Sequence, residues 1–276
     1  MNAAVPVPCD NASLGFKVRL LSYNIQVGIA ATSFSDYVLH GWKHIFPYPQ
    51  RLKNLRRIAR MIRDFDVVGL QELDGGSLRS GFINHAEYLA REAKFPHWYD
   101  KTNRRLWKVA RHSIGLLSKY APIGISRHDL PGRLTGRGAL MVSFGNRDNP
   151  LVLVLAHLSL SRKARCFQME YLSRLVREYR HVILMGDLNC SPGSRELSRF
   201  LRETDLCMPY SDLFTYPSWN PKKHLDHILV SPGIKIGSVK VLNYPLSDHL
   251  PITMDVSLPR DIMLPRDEGR RKNEAA

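Results

Sequence analysis

The chain has 276 residues, of which 44% are hydrophobic, and a formal net charge of +15. It is long enough to bury a sizeable core. No run of about 18 apolar residues offers a membrane span, and Cys9, Cys166, Cys190 and Cys207 form no C-x-x-C, so neither a zinc knuckle nor a redox pair is indicated.

Residues 1–16 read as a flexible leader. They lack the basic start and long apolar segment of a secretory signal, so a cytoplasmic location with reduced thiols is expected. Short apolar runs then recur at Val18–Ile25, Asp66–Gln71, Ser113–Leu117, Ala139–Phe144, Leu151–Leu158, His181–Met185, Leu225–Val230 and Ile252–Val256. Each has the length of a buried strand. Helical periodicity lies between some of them. In Arg51–Arg63, Leu52, Leu55, Ile58, Ala59 and Ile62 share one face, and basic residues fill the others. Asn84–Ala93, Ala164–Tyr179 and Arg195–Glu203 read similarly. Alternating strands and helices, then denser strands, imply an α/β layered domain with mixed sheets. No linker composition interrupts residues 17–257, so one domain is expected, as a monomer. Residues 258–276 read as a flexible charged tail. From Arg260 onward there are five basic and four acidic residues, so almost all of the charge excess lies in the body. Such a body favours a polyanionic partner, nucleic acid or an anionic membrane surface.

The ends of the apolar runs carry polar groups. Asn24 follows the first and Gln71-Glu72 the second; His157 ends the fifth, and Gly186-Asp187-Leu188-Asn189 follows the sixth. Asp226-His227 opens one later strand and Ser247-Asp248-His249 precedes another. In a strand, residues two apart face the same side, so Asp187 and Asn189 are expected together at a sheet mouth. Carboxylates, amides and imidazoles without paired thiols favour Mg²⁺ or Mn²⁺ over zinc.

The ordered series Ser22-Tyr23-Asn24, Leu70-Gln71-Glu72, His157, Gly186-Asp187-Leu188-Asn189, Leu225-Asp226-His227 and Ser247-Asp248-His249 resembles the endonuclease/exonuclease/phosphatase family, DNase I-like, over about residues 17–257. The resemblance implies a four-layer α/β sandwich, two stacked mixed β-sheets flanked by helices, with the site at one end of the sheets. It implies that Glu72 binds the metal with Asn24 beside it and Asp248 near by. Asp187 would orient or deprotonate the attacking water, Asn189 would help hold it, and His157 would contact phosphate. Asp226 would orient a catalytic His249.

Other residues have two readings. Ser113 meets substrate or packs at a strand start. Arg137 contacts phosphate or braces a sheet edge. Trp219 stacks on a base or anchors a Pro-flanked loop. Alternation turns His227 to the opposite side from Asp226, in a structural role, and His224 reads as a loop residue. Lys101–Arg111, with Arg104, Arg105 and Trp107, shows no clean strand pattern and fits a nucleic-acid-binding loop.

The reading that follows is a Mg²⁺- or Mn²⁺-dependent phosphoesterase, foremost a nuclease on DNA or RNA. A phospholipid or sphingomyelin-type phosphodiesterase and an inositol-phosphate phosphatase are the alternatives. A silent binding module would not need the water-activating Asp187. Cys190-Ser191-Pro192-Gly193-Ser194 departs from apurinic-site endonucleases, which argues against abasic-site repair, and looks more like the small bacterial-type hydrolases of the family.

Overall fold

The structure is a computed structural model that describes residues 15–29, 49–107, 109–132 and 136–264; of 49, 105 and 106 only the backbone is described. Eleven strands form two sheets among the described residues. The first has the order β10 (Lys235–Val241), β11 (Ile252–Ser257), β1 (Lys17–Asn24), β2 (Val67–Asp74), β4 (Ala110–Ser118), β3 (His97–Leu106). The second has β5 (Gly124–Asp129), β6 (Gly138–Gly145), β7 (Pro150–His157), β8 (His181–Asp187) and β9 (Asp226–Val230). β1–β2 and β7–β8 are parallel pairs and the other pairs antiparallel, so both sheets are mixed.

Period-two alternation sorts the apolar residues into layers. Leu20 of β1, Leu153 and Leu155 of β7, Ile183 and Met185 of β8, and Ile228 of β9 meet between the sheets. The outward Leu21 and Tyr23 pack with Leu55, Ile58 and Ile62 of α1 (Pro49–Ile62) and Leu89 of α2 (His85–Ala93). Val152, Val154 and Leu184 pack with Met169 and Leu172 of α3 (Arg162–Val176) and Leu197 and Phe200 of α4 (Arg195–Thr204). The result is the four-layer α/β sandwich. The central strands are apolar on both faces because both faces are buried, which is why they read as continuous runs.

Three strands escaped the sequence reading: β3, β5 and β10. All lie at sheet edges. One face of an edge strand is wetter, so β3 (HWYDKTNRRL) and β5 (GISRHD) carry polar residues where central strands carry Val and Leu. The segment Lys101–Arg111 is accordingly not a loop. It is the end of β3, a turn at Trp107, and the start of β4. The packed chain also outruns its expected end. Leu258, Ile262 and Leu264 are buried against the central core, so the boundary expected at 257 moves to at least 264. Residues 1–14 of the expected leader and 265–276 of the expected tail lie outside the described residues. Among the described residues no helix is long and apolar enough to cross a membrane.

Gly186, the penultimate residue of β8, has φ of 144° and lies against the Ala156 carbonyl of β7, where any Cβ would collide. Only glycine lets the chain turn Asp187 into the mouth there. Gly186→Ala is therefore expected to cost at least about 2 kcal/mol, read as a lower denaturant midpoint at unchanged slope.

Candidate active site

Alternation aims the strand ends at each other. In the second sheet His157, Asp187 and Asp226 are in-register neighbours on β7, β8 and β9, and all three continue the inward-facing series. In the first sheet Asn24 ends the inward-facing series of β1. Its amide crosses the gap and donates to Asp187 Oδ2 at 3.1 Å. Asp187 Oδ1 accepts the Asn189 backbone N–H at 3.0 Å, and the Asn189 side chain donates to the Leu158 carbonyl at 2.9 Å. Asn189 itself adopts a positive φ of 52°, as Asn tolerates in a tight turn.

The loop before β11 brings His249 to the same point. Its Nδ1 lies 2.7 Å from Asp226 Oδ2 and its Nε2 3.8 Å from Asp187 Oδ2. Thr215 Oγ1 also donates to Asp226 Oδ2, at 2.5 Å, and the Tyr216 ring lies 4.9 Å from the His249 ring. The neighbouring Asp248 carboxylate is held by Ser247 Oγ at 3.1 Å.

Glu72 arrives differently. The register of β2 against β4 slips between Leu70 and Leu73, and Glu72 has φ of 54°. This bulge takes Glu72 out of strict alternation and opens it toward solvent, its Oε1 4.0 Å from His157 Nε2. Just beyond, the buried Asp74 fixes the strand end. It accepts from Arg79 Nε at 2.5 Å, Ser77 Oγ at 2.7 Å and Ser80 Oγ at 2.8 Å. Burial raises its carboxyl, but these partners outweigh it and bring the pKa down to about 2.

Burial sets the electrostatics of the centre. It lifts the Asp187 carboxyl to about 7; His249 and the amides of Asn189 and Asn24 oppose it, and Asp226 adds to it. Burial alone would lower His249, but the carboxylates of Asp226, Asp187 and Asp248 overcome it and push the imidazole up to about 10. His157 goes the other way, well below the usual histidine value, through burial and then the charges of Arg137 and His249. Arg137 Nη1 sits 2.6 Å from Nε2 and 2.8 Å from Nδ1 of the His157 ring. At neutral pH the site thus holds a charged His249 and a neutral His157.

A cleft of about 820 Å³ opens onto this cluster. Glu72, His157, Arg137, Arg104 and Ser113 line it, so those expectations converge on one place. His112 and the rim formed by Leu160, Lys163 and Phe167 line it too, and went unrecognised in the sequence. Trp219 lines neither this cleft nor a second one beside Ser191 and Lys222; the aromatic of that segment that reaches the site is Tyr216. The Arg105 side chain lies outside the described residues. His227 faces away from Asp226, as alternation requires, with Nε2 2.9 Å from the Cys190 carbonyl.

The profile of the Endonuclease/Exonuclease/phosphatase family matches residues 21–249. The chain belongs to this family. Among solved structures it is similar to an endonuclease/exonuclease/phosphatase from Beutenbergia cavernae (18% identity, TM-score 0.69, covering 88% of this chain and 72% of that one). It is similar also to a mannosyl-6-phosphatase from Bacteroides thetaiotaomicron (17%, 0.62, 87% and 100%) and to ANGEL2, a 2',3'-cyclic phosphatase (14%, 0.62, 89% and 96%). At such identities these likenesses show the fold. No curated protein sequence matches significantly. Membership makes the chain a hydrolase of phosphoester bonds in class, and the buried Asp187, Asp226 and His249 present ligand-capable atoms within 4.8 Å of one another.

A pH-dependent stability follows from His85, whose Nδ1 accepts the Asp74 backbone N–H at 3.3 Å. Burial pulls its pKa from 6.5 to about 3, so the folded state holds it neutral. Its contribution is complete above about pH 6.5 and is lost as pH falls toward 3, with a limiting slope of about 1.4 kcal/mol per pH unit. His85→Asn keeps an acceptor for Asp74 and removes the titration. Denaturant unfolding between pH 7 and 4 is expected to give a flatter loss for the variant than for the wild type; parallel curves would contradict it.

Proposed function

We propose that this protein is a divalent-metal-dependent phosphodiesterase acting on nucleic acid. The observation that carries the reading is the Asp187–His249 pair. A carboxylate that titrates near 7 lies 3.8 Å from an imidazole that stays protonated to about 10, both buried; the carboxylate lies 3.4 Å from His157 Nε2, which lines the open cleft. A base near neutrality beside a standing acid is what hydrolysis of a phosphodiester requires.

In this reading ionised Asp187 takes the proton of the attacking water. His249, oriented by Asp226 at Nδ1, offers its Nε2 proton to a phosphoryl or leaving oxygen. Arg137 and neutral His157 donate to the non-bridging oxygens, where charge grows in the transition state. Of the close trio Asp187, Asp226 and His249, the imidazole is spoken for: its Nδ1 faces Asp226 and the ring stays protonated. Oxygen donors remain, and Glu72, Asp248 and Asn24 beside Asp187 fit Mg²⁺ or Mn²⁺ rather than a soft metal. When bound, the cation supplies positive charge against the phosphoryl oxygens.

Nucleic acid is the preferred substrate because Arg104, Arg137 and Lys163 line the cleft of a strongly basic body. One observation favours a second reading, a phospholipid or sphingomyelin-type phosphodiesterase. Leu160 is 77% exposed and Phe167 50% exposed on the cleft rim, where an apolar chain would find contact.

The test is nicking of supercoiled plasmid with Mg²⁺, with EDTA, and with Asp187→Asn, alongside sphingomyelin vesicles. Metal-dependent nicking that drops by roughly 10³-fold in the variant is expected. Cleavage of the vesicles alone would favour the second reading. Asp226→Asn removes the strongest carboxylate support for charged His249. Its pH–rate profile is expected to lose activity at a lower pH than the wild type's falling limb near 10.

A further inference from the structure

A second cleft, of about 490 Å³, is lined by residues next in the chain to the catalytic cluster. Its walls are the turn Ser191–Gly193, which follows Asn189, and the segment Lys222–Leu225, which leads into Asp226. The Leu188 N–H joins these two walls by donating to the Leu225 carbonyl at 2.9 Å. The cleft is therefore built from the same two chain segments that set Asp187 and Asp226. A second path links it to the centre: Lys223 Nζ lies 5.6 Å from the Tyr216 ring, which in turn lies 4.9 Å from the His249 ring.

The lining has a polar group that the fold leaves unused. His224 is 2% exposed, yet neither ring nitrogen makes a well-formed hydrogen bond; the Asp226 backbone lies near enough to favour the charged ring without completing one. Stacking fixes the ring. It lies 4.5 Å from His227 at 14° and 5.7 Å from Tyr210 at 21°. Its faces are thus occupied and its edge, with both nitrogens, is left for hydrogen bonding. A buried polar group without a partner is destabilising, a cost a ligand oxygen would remove. Around it stand Lys222, Lys223 and the hydroxyls of Ser191 and Ser211, with one opposing carboxylate, Asp212. The Ser211 hydroxyl donates to Asp212 Oδ2 at 3.1 Å; two ammonium groups, the Ser191 hydroxyl and an imidazole edge are left as a donor set suited to phosphate. Phe214, 42% exposed at the same rim, adds a flat apolar surface.

We propose that this cleft is a subsite for a second, non-scissile phosphate of an oligonucleotide, so that the substrate chain lies across both clefts with the scissile phosphate between them. This rests on the nuclease reading above. A substrate with one phosphate gains nothing from the second cleft; a chain of nucleotides gains a charge-assisted anchor there, and Phe214 offers a base a stacking surface.

The test compares kcat/KM on a single-stranded hexanucleotide with kcat/KM on bis(p-nitrophenyl) phosphate, in the wild type, in Lys222→Ala/Lys223→Ala and in His224→Gln. The oligonucleotide-to-small-diester ratio is expected to fall about tenfold in the double variant, through KM, with a flatter salt dependence. His224→Gln, which keeps an N–H donor, is expected to lose less. Histidine ring NMR during titration with inorganic phosphate gives an activity-independent reading. A saturable shift at His224 that the double variant abolishes supports the subsite. Oligonucleotide cleavage with an unchanged ratio overturns the subsite and leaves the nuclease reading standing. A wild type that cleaves only the small diester overturns the nuclease reading, and the phosphate titration then decides the subsite: a silent His224 overturns it as well.

Discussion

Everything at this site depends on one buried carboxylate held jointly by two sheets. Asp187 belongs to the second sheet by covalent connection and to the first through the Asn24 amide at 3.1 Å. An ionised carboxylate removed from water is costly unless it is paired and hydrogen-bonded. Here the compensation comes from both sides: Asn24 and His249 from the first sheet, the Asn189 N–H from the second. The sheets must therefore stack in one register for the carboxylate to be satisfied at all. Gly69 shows how close that stacking is. A methyl on it would lie 2.7 Å from both Leu155 and Met185 across the interface.

The same burial separates the protonation behaviour of neighbours of similar intrinsic chemistry. His157 and His249 are both buried and both face Asp187. Only His249 has the Asp226 carboxylate at its other nitrogen; His157 has the Arg137 guanidinium instead. One imidazole is thereby driven up and the other down. The difference is not in the histidines but in which strand end lies next to each: Asp226 opens β9, and the residue approaching β7 is Arg137, just ahead of β6. Tuning of this kind needs rigid partners. Asp226 is held by Thr215, and the far wall at Glu72 is held by the buried Asp74–Arg79 pair.

The central architecture was legible in the sequence because its strands are buried on both faces. Val152, Leu153, Val154 and Leu155 serve two different cores, and only a central strand of a layered α/β fold demands four such residues in a row. The positions of Asn24, His157, Asp187 and Asp226 were legible for the same reason, as polar residues ending runs that should stay apolar. The edge strands were not, because β5 exposes most of its residues and β3 is mostly half-buried, so neither carries a continuous apolar run. Thr215 and Tyr216 were invisible for a different reason. They sit in a loop with no periodicity, and their contacts with Asp226 and His249 arise from pairing of Tyr216 with Lys223 that no local pattern announces. Glu72 was found by its motif, but the bulge that delivers it could not be anticipated from alternation, which would have buried it in the α1 layer.

The division between legible and hidden residues follows a division of labour. The groups at the centre come from strand ends, whose geometry is fixed by the sheets and by the apolar layers behind them. The groups lining the two clefts come mostly from connections: Gly132, Gly136 and Arg137 before β6, Ser159–Ser161 before α3, Ser191–Gly193 before α4, and Lys222–Leu225 before β9. Loops tolerate change that strand ends cannot, since a shifted strand end would leave Asp187 unsatisfied. Reaction type is thus written in the rigid part of the chain and substrate choice in the adaptable part. That is consistent with a fold shared at 17% and 14% identity by proteins described as a mannosyl-6-phosphatase and a 2',3'-cyclic phosphatase. It also explains why the unpartnered His224 is informative. It lies in an adaptable loop, where an idle buried imidazole would be easy to replace, yet it is clamped between two rings in the lining of the second cleft.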